Sequence, residues 1–207
     1  MGVYAIVYLK VLDKKGSPKL KMQGKNIIAE YNASYEAGDK IRVDITEGEF
    51  VAVKFDANLE ETIVHIPNKS FIFEVPGSEL AAGYAPGTFE GNEHTISARE
   101  VGDDEIYAYR NIALNPHDKH GEDRFFPHAS ANFVTRGDPC FYERNAIDGN
   151  TENKGHGAFP YNSWAGGARD DLEYRIDFGQ DVEIDKFIVY LRADFPHDTY
   201  WKSIDFE

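Results

Sequence analysis

Cysteine is almost missing from this chain: Cys140 stands alone. An intrachain disulfide and a cysteine metal cluster are thereby excluded. Positive charge is also short. Lys and Arg number 22 against 36 Asp and Glu, a formal net charge of −14. Such a surface repels phosphate backbones and anionic headgroups, which argues against nucleic-acid and membrane partners. Neutral ligands such as sugars, and cations such as calcium, stay compatible with it. No apolar run reaches the length that crosses a bilayer. The Val3–Leu12 stretch (VYAIVYLKVL) is interrupted by Lys10 and lacks a basic start and a small-residue cleavage site. It reads as a buried strand. A cytoplasmic protein is expected on that basis, or an extracellular one whose signal has been removed. The GxSxG, P-loop, GxGxxG and HExxH signatures are missing too, as are internal repeats and long helical periodicity.

What is abundant points to strands and turns. The 207 residues include 12 Tyr, 14 Phe, 18 Gly and 9 Pro, a mixture that favours pleated, half-buried surfaces joined by tight connections. Ile41, Val43 and Ile45 alternate with charged neighbours, and Val51, Val53 and Phe55 continue the pattern after a Glu47-Gly48-Glu49 turn. Thr62–Ile66 and Ser70–Val75 flank Pro67-Asn68-Lys69, which predicts a hairpin. Ser78–Ala82 has room for one helical turn, and Thr95–Arg99 and Glu105–Tyr109 are expected to be the last strands of the first half. An all-β protein follows, built of two β-sandwich domains at 1–104 and 105–207. The first carries no chemical motif and is expected to supply interface and stability.

From Asn111 the texture changes to long segments rich in His, Asn, Asp, Gly and Arg between short strands. Leu172, Tyr174, Ile176 and Phe178 alternate with polar residues, and Ile184–Leu191 is nearly continuous apolar sequence, as in a central strand covered on both faces. Three motifs stand in order: NIALNP (Asn111–Pro116), AIDGN (Ala146–Asn150), and Ser163-Trp164 followed by LEYRIDFG (Leu172–Gly179). In that order they resemble the galactose-binding-like superfamily of discoidin and coagulation-factor C-type modules. PHASAN (Pro127–Asn132), RNAIDG (Arg144–Gly149) and RADFPHDTYW (Arg192–Trp201) are similar to a bacterial group classed as carbohydrate-binding. The resemblance implies a C-terminal jelly roll. Such jelly rolls continue beyond a strand like Trp201–Glu207, so this one is expected to be truncated, or completed by a partner or a second copy.

The same resemblance implies a role for particular side chains. In the AIDGN turn the superfamily often holds a structural calcium, which would fall to Asp148 and Asn150; the alternative is a turn in which Asp148 bonds its own backbone. Sugars stack on aromatic rings and take paired hydrogen bonds from planar polar groups. His128, Asn132, Arg144, His156, Trp164, Arg192, Asp194, His197, Asp198 and Trp201 supply that inventory, although Trp164 and Trp201 equally suit a core, and Arg192 with Asp194 an internal ion pair. Non-catalytic carbohydrate binding is the expected function. A structural or assembly role is the alternative, and a hydrolase using Asp170, Asp171, Asp194 or Asp198 is the third reading. An assembly module should expose an apolar patch or an open strand edge; a sugar binder should expose an aromatic beside free polar groups.

Overall fold

In the computed structural model of the chain, residues 6–196 and 200–207 are described. Two antiparallel four-stranded sheets form the first half. One carries β1 (Val7–Leu12), β2 (Pro18–Gly24), β4 (Lys40–Ile45) and β7 (Ser70–Glu74), in the order β2-β1-β4-β7. The other carries β3 (Asn26–Tyr31), β5 (Phe50–Lys54), β6 (Thr62–His65) and β8 (His94–Arg99), in the order β3-β8-β5-β6. Period-2 alternation decides which face is inside. Val7, Leu9 and Val11 of β1 and Ile41, Val43 and Ile45 of β4 point one way. They meet Ile27 and Ala29 of β3, Val51 and Val53 of β5 and Ile96 and Ala98 of β8 in a single core. Each Val, Leu and Ile among them contributes about 1.5–3 kcal/mol by leaving water.

Two local expectations fail here. Thr62–Ile66 and Ser70–Val75 are not a hairpin: β6 pairs with β5, whereas β7 pairs with β4 in the opposite sheet. The Pro67-Asn68-Lys69 link therefore crosses between the layers. Lys69 takes a left-handed φ of 54° there, and its carbonyl accepts from Ile45 N–H. Val64 and Phe73 consequently reach one core from opposite sides. Glu105–Tyr109 does not form a strand either. A short helix, α1 (Asp103–Ile106), begins there, because Glu105 turns back to accept from Gly102 N–H and binds Arg99 at 2.8–2.9 Å.

Beyond α1 regular structure is sparse. The described residues of 105–207 contain one two-stranded ladder, β9 (His128–Ala131) with β10 (Tyr174–Asp177). Asn111–Pro116 is a turn rather than a strand, closed by Ala113 N–H on the Asn111 side chain. Ile184–Leu191, expected in the centre of a sheet, carries no ladder, and Phe187, Ile188 and Tyr190 are 57–62% exposed. Continuous apolar sequence specifies a strand only where partners lie on both sides, and no described strand flanks this segment.

The segment from 114 to 147 is held on the sandwich. Phe126 and His65 exchange two backbone hydrogen bonds of 2.9 Å, so residue 126 continues the sheet beyond β6. Phe125 enters the core with its ring 4.5 Å from that of Phe71. His117 is fully buried against Phe55 and donates Nε2–H to the Val53 carbonyl. Burial lowers its pKa to about 3, so it is a neutral structural group.

Candidate functional site

The side chains singled out in the sequence fall into four groups, and the geometry gives each a different task. His128 and Arg144 lie deepest. His128 ends up beside Asp118 because β9 carries it inward: Nδ1 is 2.7 Å from Asp118 Oδ1, and Ala129 N–H donates to Oδ2. Arg144 is only 3% exposed. It donates to the carbonyls of Asp118, Pro116 and Gly83 and to Asn145 Oδ1, and its guanidinium lies 4.4 Å over the Tyr84 ring. A planar five-donor fork is what can tie three loop carbonyls at once. Arg144 ties three loops together, and His128 Nδ1 fixes Asp118.

Beside them Glu143, 3% exposed, receives His120 at 2.6 Å, and His120 stacks flat on Tyr142 at 4.0 Å. Tyr174 donates its hydroxyl to the Glu143 carbonyl. The hydrogen bond that His120 donates to Glu143 holds the His120 pKa above its usual value against the opposing effect of burial. Burial disfavours a charged His128, but its bond to Asp118 and the nearby carboxylates outweigh that and raise it. A shallow pocket of about 80 Å³ opens here, lined by His120, Tyr142, Tyr84 and Arg144 among others. Neither Asp118 nor Glu143 was singled out in the sequence; an acidic residue in a polar loop gives no signal of burial.

Asp148 and Asn150 form the second group. Gly149 takes φ +90°, and a side chain there would meet Leu114 Cδ1 at 2.9 Å. Asp148 Oδ1 accepts from Asn150 N–H at 2.8 Å, and Oδ2 from the Asn162 amide at 2.7 Å. The Asn150 amide donates to the Pro160 carbonyl and to Asn162 Oδ1. Calcium is held by six to eight oxygens; Asp148 brings two to this turn, each accepting one N–H hydrogen bond.

His156, Arg192 and Asp194 form the third. Asp194 accepts from His156 at 2.6 Å and pairs with Arg192 at 2.7 Å. Alongside, Ala193 N–H donates to the Asn153 carbonyl and the Asn153 amide to the Leu191 carbonyl. Burial of Asp194 opposes its ionisation, but His156 and Arg192 prevail and lower its pKa. The trio docks residues 191–194 onto the 153–156 loop. His197 and Asp198 lie outside the described residues.

Asn132, Trp164 and Trp201 form the fourth group, the one with an open aromatic face. Asn132 follows β9 and extends its ladder with its own side chain: Oδ1 accepts from Glu173 N–H and the amide donates to the Asp171 carbonyl. That fixes the 171–173 corner. Trp164 donates Nε1–H to the Phe133 carbonyl at 3.0 Å. Its ring lies 5.0 Å from Tyr174 and 5.6 Å from Trp201. Trp201 is 40% exposed and Phe133 37%. Arg169 covers Phe133 at 4.9 Å and pairs with Asp171 at 2.6–2.8 Å. Gly166 and Gly167 let the chain pass close to these rings, with Cβ positions 3.1 Å from Trp164 and 3.3 Å from Phe133. Phe133, Arg169 and Tyr174 join this face only through the fold.

Cys140 is buried, and burial with Asp138 beside it pushes its thiol up to about 12. That is the reverse of an activated thiolate. Among the described residues no group of three or more His, Cys, Asp or Glu gathers as metal ligands do, and no helix is long and apolar enough to cross a membrane. In comparisons with known proteins, no protein family, curated protein or solved structure matches the chain.

Proposed function

We propose that this protein is a non-catalytic carbohydrate-binding module, with residues 105–207 belonging to a galactose-binding-like jelly roll. The single observation that carries the reading is the exposed Trp201 ring packed on the half-buried Trp164, with Phe133, Arg169 and Asp171 alongside. Ring faces of this kind receive the C–H surface of a pyranose, and a guanidinium and a carboxylate take its hydroxyls. Arg169 and Asp171 are paired with each other, but their side chains are 40% and 66% exposed. Solvent screens an exposed ion pair of this kind and leaves it weak, so sugar hydroxyls replace the pair at little cost. The ordered motifs around Ala146–Asn150 and Leu172–Gly179 support the same reading. His156, Arg192 and Asp194 are assigned to docking the chain rather than to the ligand.

Tryptophan emission reports directly on this face, because Trp164 and Trp201 are the chain's two tryptophans. Titration with mono- and oligosaccharides is expected to give a saturable change for one sugar class, abolished by Trp201→Ala. A saturable change of equal affinity in Trp201→Ala would remove the site from this face.

One observation favours an assembly role instead. Phe187, Ile188, Tyr190, Tyr200 and Phe206 are 55–74% exposed within twenty residues of one another. Such a concentration of apolar surface marks an association surface. Under this reading a strand-forming partner covers the segment by edge pairing, and sedimentation at increasing concentration shows association with no sugar response.

A further inference from the structure

A cavity opens on the first half, away from every sequence motif. It measures about 420 Å³ and lies between the β3–β4 loop, the segment after β7 and the 84–91 loop. Its volume falls in the range of small-molecule sites. Tyr35, Tyr84 and Phe89 supply aromatic lining, and Glu36, Glu79 and Glu90 supply carboxylates; among the described residues no Lys or Arg lines it, although Lys19 reaches Glu36 at 3.7 Å.

The aromatic wall is built, not incidental. Phe89 takes a left-handed φ of 61°, costly for a bulky residue. Asp56, buried beneath, holds it there by accepting from Phe89 N–H at 2.8 Å. The ring then packs edge-on to Tyr35 and Tyr84, 6.4 and 5.6 Å away. Arg144 lies 4.4 Å over the Tyr84 ring, so that ring is already engaged by a cation and Tyr35 and Phe89 are the rings left for a ligand. Behind the wall two polar atoms lack a hydrogen-bond partner among the described residues: the Tyr35 hydroxyl and Asp39 Oδ1. Asp39 is 1% exposed and accepts from Glu36 N–H through its other oxygen, which Lys19 also reaches at 2.7 Å. Burial, with Asp56 and Asp39 close by, raises the Tyr35 pKa and keeps that hydroxyl protonated.

We propose that this cavity binds a small organic cation, an alkylammonium or quaternary ammonium group, with Tyr35 and Phe89 against its C–H surface and Glu36, Glu79 and Glu90 balancing its charge. An aromatic wall attracts a cation through the ring quadrupole, and a concave site lined by one sign of charge concentrates the opposite sign. A neutral molecule of the same shape gains only the contact area. The site is separate from the proposed sugar-binding face and shares no residue with it.

The test uses the full chain, choline as probe and 3,3-dimethylbutan-1-ol as its uncharged isostere, followed by NMR on tyrosine and phenylalanine resonances. Choline is expected to shift those resonances saturably, roughly tenfold more tightly than the alcohol. Its affinity should fall as salt rises through about 0.15 M, where the screening length is about 8 Å. The Glu36→Gln, Glu79→Gln, Glu90→Gln triple variant changes exposed side chains only. It is expected to keep the wild-type melting temperature and lose choline binding by roughly fivefold or more. Phe89→Leu, checked for folding by its dispersion of resonances, is expected to lose binding as well. Equal affinity for choline and the alcohol, no saturable shift, or full binding by the triple variant would overturn the proposal.

Discussion

The two halves of this molecule are held together by different means. Residues 7–99 are an ordered sandwich whose strands bond each other by backbone ladders and whose core is aliphatic and aromatic. Residues 110–178 have one short ladder and are fixed chiefly by side chains that reach distant backbone: Arg144, Asn115, Asn132, Asn145, Asp118 and Trp164. The difference teaches that irregular chain can be positioned firmly when its carbonyls and N–H groups meet planar, multi-donor side chains. It also separates the aromatic sites: the proposed cation cavity is lined by loops of the sandwich half, whereas the Trp201 face belongs to the second half.

The largest effects are expected from removing two staples of the second half, one polar and one apolar. Arg144→Ala deletes the donor to three loop carbonyls and strips a buried cation from its acceptors. A loss of about 3–5 kcal/mol is expected in denaturant unfolding. Phe125→Ala, a cavity in the sandwich core contributed by the second half, is expected to cost about 3–4 kcal/mol. Both variants should shift one cooperative transition, because the segment from 114 to 147 and the sandwich share this packing. Two separated transitions in Arg144→Ala would show that the halves unfold independently.

The halves also differ in how much the sequence disclosed. Alternation at Ile41–Ile45, Val51–Phe55 and Thr95–Arg99 reads directly as strands because a sheet with one buried face imposes a period of two. The link at Pro67–Lys69 misleads, since a three-residue turn looks the same whether its strands pair or cross between layers. In the second half, burial depends on partners far along the chain. His128 and Arg144 look like ligand-binding residues until Asp118 and the Gly83 carbonyl are seen beside them. Arg192 and Asp194 are an ion pair, as their spacing allowed, with His156 added by the fold. Trp164 and Trp201 stand out in the sequence as candidates for a ligand or a core, but their pairing and the nearby Phe133 and Arg169 come only with the fold.

A smaller effect should appear with pH. His120 and His128 have raised pKa values in the native protein. Each therefore contributes stability that is complete below the free-histidine value near 6.5 and fades as pH rises through the higher native value. Glu143 faces His120; Asp118, Asp123 and Glu143 face His128. The melting temperature is expected to decline from about pH 6.5 upward, and the decline should be shallower in His128→Asn. A melting temperature that rises across this window would contradict the pairing.

The smallest effect concerns the Asp148 turn. Its internal hydrogen bonds close the loop, so adding calcium or a chelator is expected to move the melting temperature by less than about 1 °C. An ion held at a hundred times its Kd would add about 2.7 kcal/mol, a shift that differential scanning fluorimetry detects without difficulty.

The central claim is the sugar-binding face, and a glycan-array screen tests it most directly. Wild-type protein, Trp201→Ala and the Glu36, Glu79, Glu90 to Gln triple variant would be compared on one array. The account predicts reproducible binding to one glycan class, lost in Trp201→Ala and kept in the triple variant, whose changes lie in the other cavity. A folded wild-type protein that binds no glycan, or binding that survives Trp201→Ala, would contradict it.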